Sequence, residues 1–148
     1  MLDENMKTEN ERIEKPAFNM AAAYLQRVNY ILDQIADFSI KGRQGLMYNA
    51  LKTLYREISP FLKSTDKIVI EDKLKQSVIA FKLHTQFQEE SESTDHEIRE
   101  EFLKRAKFQW RAFTFLLHEI NMLLVSHIHK SGLLMPSKID RTILGGSE

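Results

Sequence analysis

The sequence predicts an all-α protein: a four-helix bundle with a long C-terminal fourth helix and an irregular apolar C-terminal extension. Three observations carry that prediction. Apolar residues recur three and four apart over long stretches, which marks one face of a 3.6-residue repeat. Strand-type alternation is hard to find, and only 5 Gly and 3 Pro interrupt 148 residues. Finally, Thr94 to Lys130 reads as one unbroken helix of roughly 37 residues, apolar almost all the way round its middle, as in helices buried on several sides.

Taken in order, residues 1–16 are charged and poor in apolar side chains, which predicts a flexible N-terminal tail ending at Pro16. A helix follows from about Ala17 to Ile40, with Phe18, Ala21, Tyr24, Leu25, Val28, Ile31, Leu32, Ile35 and Phe38 along its apolar stripe. Gly42 and Gly45 supply the break, because glycine readily takes the left-handed geometry that ends helices. The second helix starts near Gln44 and runs toward Ser64, with Met47, Leu51, Leu54, Tyr55, Ile58 and Phe61 inward. Pro60 inside it implies a kink, or a restart with Ser59 as cap.

Ser64, Thr65 and Asp66 offer caps for a third helix to about Gln88, with Ile70, Leu74, Val78, Phe81 and Phe87 inward. Within it, Ile68-Val69-Ile70 could form a short extended piece. Thr94 with Glu97 three residues on is a capping box that opens the fourth helix. His127, His129 and Lys130 place positive charge at its C-terminal end, where it favours exposed carbonyls. The bundle domain thus covers 17–132. The segment 133–148 is an extension too apolar for a free tail and too short for a confident helix.

At about 100° per residue the fourth helix resolves into two stripes. Phe102, Ala106, Phe113, Leu116, Leu117, Ile120, Leu123, Leu124 and Ile128 form a core face. Opposite them, Phe108, Phe115, Met122 and His129 recur every seven residues, interleaved with Arg111, His118 and Val125. This is a heptad-like seam of mixed polarity. Either the C-terminal extension covers it or a second subunit does, since it would otherwise be an exposed apolar patch. Helix length favours the subunit: about 55 Å, against about 32–36 Å for neighbours of 21–24 residues.

Composition narrows the chemistry. The chain has no cysteine, which excludes disulfides, thiol nucleophiles and thiolate metal sites and suits a reducing cytosol. Formal net charge is zero, so no global field draws the protein to nucleic acid or membrane. The N-terminus lacks the apolar run of a signal peptide, and no apolar window is long enough to span a membrane. A cytoplasmic location is expected. Ligand spacings of three or four are absent among His118, Glu119, His127 and His129, so neither a metal nor another cofactor is expected. Lys52, Arg56 and Lys63 on the second helix and Lys104, Arg105 and Lys107 on the fourth could touch phosphates. Neither group has the aromatic interleaving or glycine loops of a nucleic-acid module, and charge runs are usually solvated faces.

Arg111-Ala-Phe-Thr-Phe-Leu-Leu-His118 resembles, at its longest spacing, the Arg-then-His motif of the HEPN ribonucleases. These are small helical bundles that pair their motifs across a dimer. The resemblance covers two residues, and Ala112 stands where that family usually has a polar residue. It implies a metal-independent ribonuclease using Arg111 and His118. The residues themselves favour a non-catalytic interaction module. Its partner-binding face is Phe108, Arg111, Phe115, His118, Met122 and Val125, and its partners are a homo-oligomer or a larger assembly, such as a nucleoprotein or phage-type complex in which it is an accessory subunit.

Overall fold

A computed structural model describes residues 22–92 and 95–130. They form an all-α bundle, with no strand among the described residues. Helix α1 covers residues 22–40, α2 is Gln44–Ile58, α3 is Ser64–Glu92 and α4 is His96–Lys130. The charged N-terminal tail, the start of α1, the Thr94 cap and the extension 133–148 lie outside the described residues.

The α1–α2 turn forms because Gly42 has φ +70°. Its N–H donates to the Ser39 carbonyl at 3.3 Å, and the Arg43 N–H donates to the Phe38 carbonyl at 2.8 Å. That pair of bonds is the Schellman closure, which satisfies carbonyls the helix end leaves open. The α2–α3 connection corrects the sequence reading. The second helix stops at Ile58 instead of running toward Ser64, and Ser59–Phe61 forms a 3₁₀ turn with Pro60 in its first positions. Pro60 therefore marks a break and does not kink a continuing helix. Ile58 and not Ser59 precedes the turn as its cap position, and the Ser59 hydroxyl donates back to the Arg56 carbonyl. Leu62 is extended, and Ser64 begins α3. The Ile68–Ile70 triplet is helical, because it lies inside the first turns of α3 and Ile70 is buried against the core.

The core takes Val28, Ile31 and Ile35 from α1, Met47, Leu51, Leu54 and Ile58 from α2, and Ile70 and Leu74 from α3. The fourth helix adds Phe113, Leu117, Ile120, Leu124 and Ile128. Leu116 and Leu123, expected on this face, are half-buried at its edges. Phe102, also expected there, is half-buried and stacks on Phe87, with ring centroids 6.2 Å apart.

Helices α3 and α4 form a long antiparallel hairpin. Lys73 Nζ meets Glu119 Oε2 at 2.7 Å, His84 Nδ1 donates to the Ala106 carbonyl at 2.7 Å, and Arg99 Nε donates to the Ser91 carbonyl at 3.1 Å. Ser77 and Ala80 are the buried positions in the middle of α3, opposite Phe113 and its neighbours. Small side chains there leave room for large ones opposite, as close packing requires. Phe81, expected inward, is 41% exposed and leans its ring onto Phe113 at 5.3 Å and Trp110 at 6.5 Å. The third helix has 29 residues, not the shorter span expected, so it measures about 43 Å beside about 52 Å for α4. The hairpin as a whole, and not α4 alone, therefore outreaches the 15-residue α2.

Candidate interaction site

The outward face of α4 carries the seam residues. Phe108, Phe115 and Met122 are 68%, 63% and 73% exposed, the three largest values among the apolar side chains of α4. Their seven-residue spacing advances about 20° short of two full turns, so they form one nearly straight line. Arg111, His118 and His129 are exposed beside them, and Val125 is half-buried at the margin. Within one chain, one face of α4 enters the core, and the apolar residues opposite it face outward.

The line is straight because α4 has neither Gly nor Pro between His96 and Lys130. It is rigid because the opposite face is pinned by Phe113, Leu117, Ile120 and Leu124, each no more than 2% exposed. The N-terminal half carries Glu97, Glu100 and Glu101, and the last turn carries His127, His129 and Lys130. Arg99 sits among those acids, and Lys104, Arg105, Lys107 and Arg111 follow them, so charge is mixed along the helix and acidic only over its first turns.

The two basic groups are not brought together. Lys104 and Arg105 border a shallow depression with Phe87 and Phe108, and Arg105 is tied to Glu101 at 3.6 Å with its guanidinium 5.8 Å from the Phe102 ring. Lys107 is exposed on the same stretch of α4, and Lys63 is exposed beside the turn that leads into α3. Lys52 and Arg56 instead line a cleft of about 520 Å³ between α2 and α3. Lys75, Tyr48, Tyr55 and Ile79 share that cleft. The sequence does not single these four out as site residues, because only the packing of α2 beside α3 makes them neighbours.

Among the described residues, no group of three or more His, Asp or Glu side chains could hold a metal ion. None of the helices there is long and apolar enough to cross a membrane. Comparison of the chain with protein-family models, curated proteins and solved structures finds no match.

Proposed function

We propose that the protein is a non-catalytic assembly module that pairs with a second copy of itself through the outward face of α4. The observation that carries this reading is the line of Phe108, Phe115 and Met122, three large apolar side chains exposed in register on a rigid helix. Each forgoes roughly 1.5–3 kcal/mol by standing in water.

Charge favours an antiparallel pair with its two-fold axis at Phe115. A parallel in-register pair sets Glu101, Lys104 and Arg111 against their own copies, which is repulsive throughout. The antiparallel register sets Phe115 on Phe115 and Phe108 opposite Met122, and it brings Arg111 toward Glu119, which also bridges to Lys73 in its own chain. Such a contact is isologous and closes at two subunits.

Light scattering at tens of micromolar should return the mass of a dimer. Phe115→Glu should raise the dissociation constant by about a hundredfold or more, since the carboxylate would be buried without a partner. The absence of native cysteine makes the register testable. Phe115→Cys should cross-link with its copy, and Phe108→Cys should do so only if the pair is parallel. A monomeric unmodified protein overturns the reading.

The same pairing is the setting that the Arg111–His118 resemblance implies, because both side chains flank Phe115 on the exposed face. RNA cleavage by the unmodified protein, abolished by both Arg111→Ala and His118→Ala, would replace assembly with catalysis as its role.

A further inference from the structure

The cleft between α2 and α3 has an order along its length that the seam lacks. Tyr55 and Glu71 mark the end nearest the Ser59–Phe61 turn, joined by a Tyr55 Oη–H donation to Glu71 Oε1 at 2.7 Å. One turn further from the connection, Lys52 on α2 and Lys75 on α3 stand on the two rims. Beyond them the lining is Tyr48, Val78 and Ile79, and Ile79 is 57% exposed. Leu74, nearly fully buried, forms the floor beneath the lysines.

Lys52, Lys75 and the adjacent Arg56 have no ion-pair partner among the described residues. The cleft's one acid, Glu71, is held as the acceptor of the Tyr55 hydroxyl. Three cations therefore surround a cleft with one carboxylate, and a level of positive charge adjoins a level of exposed apolar surface. A volume of about 520 Å³ falls within the range of small-molecule sites, which are mostly apolar with a few polar groups that fix orientation.

We propose that this cleft binds a small amphipathic carboxylate, its anionic head between Lys52 and Lys75 and its hydrocarbon body over Val78, Ile79 and Tyr48. The head adds negative charge to a cleft where one carboxylate stands against three cations, and the body covers apolar surface otherwise left in water. A carboxylate seated between two ammonium donors accepts charge-assisted hydrogen bonds, the stronger class of such contacts. Arg56, next along the same rim as Lys52, adds to the attraction. This site is separate from the α4 seam and does not depend on self-association.

Decanoate, used below its micellar concentration, is the probe. It should saturate one site per chain with a dissociation constant below about 1 mM and move the methyl resonances of Val78 and Ile79. Lys52→Gln with Lys75→Gln, two exposed positions with no ion pair to lose, should keep the fold by circular dichroism and weaken binding by about tenfold or more. Ile79→Ser should weaken it through the apolar half alone. Decyltrimethylammonium, with the same chain and opposite charge, should not compete. Absence of saturable binding, undiminished binding in the double variant, or equal binding of the cationic amphiphile would each overturn the assignment.

Discussion

Ile120 and Leu124 lie one turn apart on α4 with no exposed surface, and both belong to the central core cluster. Truncation of either to Ala removes transfer energy and leaves a cavity, so each change should lower unfolding free energy by about 2–5 kcal/mol. Leu116, half-buried at the edge, should cost less; chemical denaturation of the three variants checks the ranking. Two tyrosines add a pH dependence. The Tyr24 hydroxyl is pushed up to about 12 by burial and by the nearby Glu57 carboxylate. Tyr55 is pushed up to about 12 by burial and by its hydrogen bond to Glu71. With folded values above the ordinary 10, the native state holds protons that the unfolded chain releases. Their stabilisation is complete below pH 10 and is lost as pH rises toward 12. Melting temperature should therefore fall across that window, and Tyr24→Phe with Tyr55→Phe should make the fall shallower.

At the scale of elements, the two turns respond differently to substitution. Gly42 sits at φ +70° with open space around its Cα, so Gly42→Ala meets no clash, only the left-handed backbone penalty. A loss of about 1 kcal/mol is expected. Pro60 in the 3₁₀ turn has a φ that its ring pre-sets, and Pro60→Ala should lower stability by about 0.4–1 kcal/mol through the added freedom of the unfolded chain. Thermal denaturation of both variants tests the pair, and a more stable Pro60→Ala protein would mean that the second helix can run through this point. The Gly42 turn was legible in the sequence because a left-handed stop has a residue signature. The end of α2 was less so. Phe61 continues the apolar spacing of Met47 through Ile58 yet ends 56% exposed, because the backbone has already left the helix. Periodicity records which side chains could face inward, not where the hydrogen-bond ladder stops.

Across the whole molecule, cohesion is uneven. Along the α3–α4 hairpin, the buried apolar residues lie between Ile70 and Ala80 on α3 and between Ala106 and Ile128 on α4. Beyond Ala80 and before Ala106, Ser91 is the one buried residue among the described residues, while Ile98 and Leu103 are 50% and 46% exposed. Hydrogen exchange should therefore be faster for amides in 86–92 and 96–104 than for those in 113–124, because local opening follows the density of buried apolar contact. Equal protection along the hairpin would show that something else covers its far end.

The helical class, the Gly42 stop, a break at Pro60 and the two stripes of α4 were all legible in the residue pattern. Each follows from local spacing or from the backbone preference of a single residue type, and neither needs a neighbour in space. Tertiary structure decided the rest. It made α3 as much a part of the long hairpin as α4, set Ser77 and Ala80 opposite the bulk of Phe113, and turned Phe81 to the surface. It also brought Lys75 across from Lys52 and joined Tyr55 to Glu71. Helical periodicity fixes the direction of a side chain about its own axis. Which helix lies in that direction, and at what register, depends on how all the apolar faces share one interior.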